Sequence, residues 1–332
     1  MSYGVAIVGC GLIGHKRLKA LGDCRLVACA DVSLDRARAL AAGRPDVQVS
    51  DRWEEAVRHP GADIVIVATT NDVLTSIAEG ALDAGKHVLV EKPAGRSVAE
   101  IDRLIAASAR SGRLVHVGFN HRYHPALQKA RAIIDSGALG PLMFIRARYG
   151  HGGRVGYERE WRADPERSGG GELIDQGVHL IDLSRWFLGD FAHVDGLAAT
   201  YFWQMPVDDN AFLTLRTAAG QVAFLQVSCT EWKNLFSFEI YGRDGKLAID
   251  GLGGSYGVER LAHYRMLPAM GPPETTIWEF PGADESWTRE FQDFLDHVSG
   301  NRATSCGLPA ARAALHVVDT IYARSGYHSS SR

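Results

Sequence analysis

Three ionisable side chains, Asp175, His179 and Asp182, interrupt the apolar run Glu-Leu-Ile-Asp-Gln-Gly-Val-His-Leu-Ile-Asp-Leu at 172–183. At about 100° of turn per residue they fall on one stripe of a helix, with Leu173, Ile174, Val178, Leu180, Ile181 and Leu183 spread over the rest. One reading is an amphipathic helix whose polar stripe meets water. The other is a carboxylate that orients a histidine in a site. A neutral imidazole accepts a proton near neutral pH, and a carboxylate one turn away can hold its ring and favour the cation that results. Such a pair suits general base catalysis. Asp182 either continues the site or contacts solvent.

A second group of residues suits a nucleotide. Gly9-Cys10-Gly11-Leu12-Ile13-Gly14 has the G-x-G-x-x-G spacing, follows the apolar run 5–8 and opens a helix. Gly9 allows the tight turn, Gly11 lets the backbone approach a pyrophosphate, and Gly14 permits close helix–strand packing. Asp31 lies 22 residues after Gly9, at the end of the second apolar run, where a carboxylate can hold a ribose hydroxyl pair. That carboxylate would repel a 2′-phosphate, so NAD is expected over NADP. Arg36 and Arg38 keep NADP open, because an arginine can accept that phosphate. Thr69, Thr70 and Asn71 follow the third run, and Glu91-Lys92-Pro93 ends the fourth. These are the positions where doubly wound sheets bind ligands.

The elements that must carry these residues are of two kinds. Strand-like runs at 5–8, 26–30, 64–69, 87–90 and 114–117 alternate with helical patterns at 18–21, 34–41, 73–84 and 98–109, the last introduced by Ser97 as a cap. Such alternation means a doubly wound parallel sheet, an α/β Rossmann domain. After about residue 122 comes a helix around 125–136, a Gly-rich stretch at 150–171 and the helix of 172–183. Strand-like runs then follow one another at 194–203, 211–217, 221–228, 236–241 and 246–249, and two helices close the chain at 284–299 and 308–324. This is a C-terminal α+β domain with a large, mainly antiparallel open sheet. The expected domains are 1–122, binding NAD(P), and 123–332, binding substrate and forming oligomers.

Composition sets the bounds. A chain of 332 residues exceeds one ordinary hydrophobic core, and 46% hydrophobic with 23% charged residues at net charge −3 describes a globular protein without the basic excess of a nucleic-acid binder. No nucleic-acid partner is expected. No apolar run reaches membrane-spanning length and no basic segment precedes 4–9, so the reading is a cytoplasmic protein with no membrane partner. Five cysteines, an odd number without metal-ligand spacing, read as reduced and mostly buried, and no metal is expected. Trp232 and Lys233 interrupt the strand region, with a packed tryptophan as the plainer reading.

The ordered set Gly-Cys-Gly-Leu-Ile-Gly at 9–14, Glu-Lys-Pro at 91–93, Gly-Phe-Asn-His-Arg-Tyr at 118–123 and Gly-Gly-Glu-Leu-Ile-Asp-Gln-Gly-Val-His at 170–179 resembles the Gfo/Idh/MocA family of sugar and inositol oxidoreductases. The resemblance runs over essentially the whole chain. It implies that Lys92, Asp175 and His179 meet at the nicotinamide as catalytic residues. The cofactor contacts would be Gly9, Gly11, Leu12, Ile13, Gly14, Asp31, Thr69, Thr70, Asn71, Glu91 and Lys92. The family places substrate contacts at Asn120, Arg122 and Tyr123, beside Lys92, Asp175 and His179. The stretch 149–162 adds Trp161 and Arg162, since aromatic faces and arginine forks suit sugars and anionic groups. Its interleaved Glu158, Glu160, Asp164 and Glu166 fit a mixed solvated loop equally well.

The implied activity is an NAD-dependent dehydrogenase or reductase acting on a secondary alcohol or ketone of a sugar, an inositol or a nucleotide-activated sugar. His179 would take the hydroxyl proton, and Lys92 would orient the hydroxyl, stabilise oxyanion character or share the proton transfer. Two rival readings are an NAD-dependent glycosidase that oxidises a ring carbon transiently and a dinucleotide-dependent sugar sensor without turnover. The second domain has more strands than its helices can cover, which predicts a homodimer or homotetramer through the open face.

Overall fold

The computed structural model describes residues 3–269, 271–300 and 306–327. The chain divides into two compact units, Met1–Phe119 with Trp287–Leu315, and Asn120–Ser286 with His316–Arg332.

The first unit is a six-stranded, wholly parallel sheet built from β1 (Gly4–Val8), β2 (Arg25–Ala30), β3 (Gln48–Ser50), β4 (Ile64–Val67), β5 (His87–Glu91) and β6 (Val115–Gly118), in the order β3-β2-β1-β4-β5-β6. Strand β4 reads Ile-Val-Ile-Val and is buried at every position, as expected where both sheet faces are covered by helices. The crossovers are α1 (Leu12–Lys19), α2 (Leu34–Ala41), α3 (Trp53–Val57), α4 (Asn71–Asp83) and α5 (Val98–Ser111). Ser97 caps α5, its side chain accepting from the Glu100 N–H, and Gly112 ends that helix at φ 65°. Strand order reverses between β1 and β4, so the ends of β1, β2, β4 and β5 flank the switch point where such sheets bind ligands.

The second unit holds α6 (Pro125–Asp135), β7 (Leu142–Gly150), α7 (Pro165–Ser168), a π-helical turn at Leu173–Gly177, α8 (Val178–Leu188), β8 (Phe191–Ala199), β9 (Asn210–Thr217), β10 (Val222–Ser228), β11 (Leu235–Gly242), β12 (Gly245–Asp250), β13 (Glu259–Arg265) and β14 (Glu274–Phe280). Its eight-stranded sheet runs β14-β13-β12-β11-β7-β10-β9-β8 and is antiparallel except where β7 pairs with β10. The central strand β7 is absent from the sequence reading. It alternates buried Ile145, Ala147 and Tyr149 with exposed Phe144, Arg146 and Arg148, the period of a strand covered on one face. Helix α8 packs on β7 and β10, and α6 on β12 to β14. The opposite face leaves Leu197, Phe224 and Ile277 exposed.

Two expectations are corrected. The boundary expected after 122 lies at 119/120, and residues 287–315 belong to the first unit, not to one continuous block 123–332. The cause is packing: Phe291 and Phe294 of α9 (Ser286–Val298) complete the core formed by Val5, Ile7, Ile64, Ile66 and Leu89. Helical periodicity does not report which core a helix joins. The division then falls inside α10 (Leu308–Ser325). The strand expected over 194–203 stops at Ala199, because the Asp209 carboxylate accepts the N–H groups of Tyr201, Phe202 and Trp203 at 2.9, 2.7 and 3.0 Å and holds them off the sheet.

Candidate functional site

In the first unit the turn after β1 shows what each glycine is for. A Cβ on Gly9, at φ +93°, would lie 2.3 Å from the Ala68 carbonyl oxygen, and one on Gly14 would lie 2.2 Å from the Gly9 oxygen. Both are required by the fold itself. Gly11 is different: a Cβ there meets no atom of the chain within 4 Å. The open cradle at the start of α1 fits a group that comes from outside, and backbone N–H groups at a helix start suit a pyrophosphate. Leu12 is exposed and Ile13 half-buried beside it. Asp31, just past β2, accepts from the Cys10 N–H (2.9 Å), the Ser33 N–H (2.9 Å) and Arg36 (2.7 Å). Burial raises its carboxyl, but the bonds from Arg36, Ser33 and Cys10 outweigh burial and hold it below the usual carboxylate value. Thr69 and Thr70 are half-buried after β4, and buried Asn71 opens α4.

Glu91, expected among the cofactor contacts, is buried in an ion pair with Arg17 of α1, a residue the sequence reading passes over. Arg17 is fully buried and donates from Nε to Glu91 (2.6 Å) and from Nη1 to Glu290 of α9 (2.6 Å), with its guanidinium 4.5 Å from the Trp287 ring. Burial pushes the Glu91 carboxyl up against the opposing pull of Arg17. Burial also raises Glu290, but Arg17 and the nearby His116 outweigh it and leave that carboxyl low. The network ties the helix after the glycine turn to the strand end that carries Lys92, which is half-buried and joined to Pro93 by a cis peptide.

In the second unit the polar stripe is not in water. Asp175, His179 and Asp182 are 8%, 3% and 1% exposed. The wider π-helical turn carries Asp175, and α8 carries the other two. Asp175 accepts from Arg162 Nε at 2.9 Å, and the Arg162 guanidinium lies 4.6 Å from the Trp161 ring, so the structure brings those three candidates together. His179 stacks on His121 with ring centroids 3.7 Å apart and planes 22° from parallel. His121 lies inside the 118–123 motif but is not singled out by sequence; an imidazole between two expected site residues is the signal that could have found it. Asp182 does not meet solvent. It accepts a two-point salt bridge from Arg122 at 2.7 and 2.6 Å. Arg122, expected as a substrate contact, thereby also ties α8 to the 120–123 turn. Asn120 and Tyr123 are buried beside it, 5% and 8% exposed.

The start of this helical segment is clamped from behind. Asp208 accepts from the Gly171 N–H (2.9 Å), the Leu173 N–H (2.8 Å) and the Tyr322 hydroxyl (2.6 Å), and burial pushes its carboxyl up to about 6. A Cβ on Gly171 would sit 1.9 Å from the Asp208 carbonyl oxygen, which explains that glycine in 169–171. Trp232 is a further correction: it is 64% exposed at φ 59°, edge-on to Phe202 at 4.7 Å, and not packed in a core.

A parallel sheet with a glycine turn at its switch point, followed by an open mainly antiparallel sheet, gives a two-unit architecture whose first unit has the form of a dinucleotide-binding domain. Residues 3–119 match the oxidoreductase family with an NAD-binding Rossmann fold, and residues 127–248 match the GFO/IDH/MocA C-terminal domain. The chain belongs to the Gfo/Idh/MocA family. It is 27% identical to levoglucosan dehydrogenase from Pseudarthrobacter phenanthrenivorans over 60% of this chain and 58% of that protein. It is 31% identical to inositol 2-dehydrogenase from Gluconacetobacter diazotrophicus over 57% of this chain and 55% of that one. The matches thus span little more than half the length of these curated relatives. A solved levoglucosan dehydrogenase in complex with NADH and L-sorbose superposes with a TM-score of 0.84 at 22% identity, covering 98% of each chain, which shows the shared fold.

Proposed function

We propose that the protein is an NAD-dependent oxidoreductase acting on a secondary alcohol or ketone of a sugar, an inositol or a nucleotide-activated sugar. The observation that carries this reading is the burial of Asp175 and His179: a solvated stripe would leave them in water, and they sit at 8% and 3% exposure. Gly9, Gly11, Leu12, Ile13 and Gly14 would hold the pyrophosphate of NAD at the start of α1, with Asp31 on the ribose hydroxyls and Thr69, Thr70 and Asn71 lining the strand ends. NAD, when bound, supplies the hydride acceptor. His179 removes the hydroxyl proton, and Asp175, itself held by Arg162, favours the resulting imidazolium. Lys92 donates to the oxygen as negative charge develops, a role that rests on the family resemblance. Trp161 and Arg162 would contact the sugar ring. The levoglucosan and inositol dehydrogenases among the relatives support this substrate class.

The open sheet face supports a homodimer or homotetramer. Leu197, Phe224 and Ile277 on it are 47%, 51% and 46% exposed, and another subunit would cover them. A sedimentation run giving only monomer at micromolar concentration removes that part of the reading.

A panel of inositols, levoglucosan, aldoses, uronic acids and nucleotide sugars, followed by NADH absorbance, tests the activity. His179→Ala or Lys92→Met should leave NAD affinity nearly unchanged while lowering turnover on the order of 10²- to 10⁴-fold, the range for losing a positioned acid or base. Near-normal turnover in His179→Ala would return the histidine to a structural role.

A further inference from the structure

The stacked rings of His121 and His179 are more than packing, because the protonation of one of them follows from the chain of bonds behind it. The Ser286 hydroxyl donates to the Asp284 carboxylate at 2.6 Å. Its oxygen accepts from Asn120 Nδ2 at 2.9 Å, which leaves the Asn120 carbonyl oxygen facing His121 Nδ1 at 3.2 Å. A carbonyl oxygen only accepts, so His121 Nδ1 carries a hydrogen and donates it. The basic nitrogen of neutral His121 is thus Nε2, and its ring is fixed in plane by a bond chain ending on a carboxylate. Tyr149 closes the other side, edge-on to His121 at 5.2 Å and to His179 at 6.3 Å.

Two imidazoles 3.7 Å apart cannot both be charged without strong repulsion, whereas a neutral ring stacked on a cationic one is attractive. We propose that His121 is a positioning residue for His179: the stacked pair takes up a single proton, so His121 fixes the plane of the His179 ring and keeps that ring in its uncharged, proton-accepting form. The proposal rests on the reading of His179 as the base and names the neighbour that makes it one.

Among the described residues, the charged groups around the pair have partners of their own, and Asp175 favours a charged His179. Arg122 and Asp182 neutralise one another on the α8 side. Glu259 of β13 is engaged with His124, and Asp284 acts through Ser286. Asp175 is bound to Arg162, and Glu172 lies 3.6 Å from His151, one helical segment back from His179. Tyr149 carries Tyr256 against it, with burial holding the Tyr149 hydroxyl in its neutral form, and β11 contributes the apolar Phe236. His121 is the group that shares a ring face with His179.

The test uses the full-length protein with ¹⁵N-labelled histidine and the variants His121→Phe and His121→Ala. In His121→Phe the flat ring survives but can hold no proton, so the His179 titration, read by NMR without any substrate, should move up by about one pH unit, the coupling at which two sites titrate as a pair. With myo-inositol, or whichever polyol of the panel is turned over, the acid limb of kcat should move up by the same amount. His121→Ala removes the floor as well and should lower kcat by about 10-fold or more, with NAD affinity kept. A His179 titration that is the same in wild type and His121→Phe overturns the inference, whatever the reaction is. If instead His121→Phe shifts that titration but His179→Ala retains turnover, the inference about the pair stands and the assignment of the base fails.

Discussion

The two units hold their candidate residues by opposite means. Around the first β-strand the chain shapes a cradle almost entirely from backbone: two glycines whose Cβ positions are filled by carbonyl oxygens, and a third whose Cβ position is empty. Around α8 the work is done by buried and half-buried side chains, with Asp175 on Arg162, Asp182 on Arg122, and His121 on Asn120, which is itself held by Ser286. Backbone sites are compact in sequence, while the side-chain partners lie 13, 60 and 166 residues apart for Arg162–Asp175, Arg122–Asp182 and Asn120–Ser286. On the proposed function, the contrast is that between a surface for a ligand's phosphates, where any side chain is in the way, and a site for proton transfer, where pKa and orientation are set by charged neighbours.

The Arg17 network breaks this contrast, since it is a side-chain device inside the backbone-built unit. Removing one partner of a buried ion pair typically costs about 3–5 kcal/mol, because the other charge stays buried without compensation. Arg17→Met leaves Glu91 and Glu290 facing one another, so urea unfolding should show a loss of that order. A change below about 1 kcal/mol would mean that the network is incidental to the first unit. The glycines sharpen the contrast. Gly14→Ala drives a Cβ to 2.2 Å from backbone and should cost up to about 3 kcal/mol. Gly11→Ala meets nothing in the chain, sits at φ −80°, ψ −160°, and should unfold like wild type. Its NAD affinity should nonetheless fall by about tenfold or more, about 1.4 kcal/mol, because the methyl group enters the cradle. Isothermal titration with NAD beside the unfolding curve separates the two; a Gly11→Ala protein that binds NAD normally dissolves the distinction between folding glycines and a binding glycine.

The same contrast explains what the sequence makes legible. Five of the six parallel strands and the glycine turn follow from local patterns, and β3, three residues long, is too short to leave one. The central strand β7 has a clear alternation, but its partners β10 and β11 begin at 222 and 235, and although both are legible as strands, nothing local announces that they pair with β7. The stripe Asp175, His179, Asp182 is visible as a spacing, yet the spacing names no partner for any of the three. The structure pairs Asp182 with Arg122 and Asp175 with Arg162. Glu91 and Arg17 hide for the same reason: a strand-end glutamate and a helical arginine are ordinary surface residues until the fold places them at 2.6 Å in the interior. Phe291 and Phe294 read correctly as a helical face but not as part of the first core, because amphipathicity carries no address.

A further effect concerns the clamp that joins Asp208, just before β9, to the Asp175 turn, where a side chain of the second unit grips backbone. Burial raises the Asp208 carboxyl from the ordinary aspartate value of 3.8 to about 6, against the bonds from Tyr322, Leu173 and Gly171. A carboxyl whose folded pKa is raised binds its proton more tightly in the folded state. Its contribution to stability is complete below 3.8 and is lost as pH rises through about 6. Asp208→Asn cannot ionise, so it removes this pH dependence while its amide nitrogen faces the Leu173 N–H with a fixed, pH-independent penalty. The stability difference between wild type and Asp208→Asn should therefore be larger at about pH 4.5 than at about pH 7.5, by roughly 1–2 kcal/mol. Urea midpoints of both proteins across that interval read the difference directly, and carboxylates elsewhere cancel because they are common to both. A difference that stays flat, or grows toward pH 7.5, would mean that the three donors outweigh burial and that Asp208 grips the turn as a carboxylate throughout.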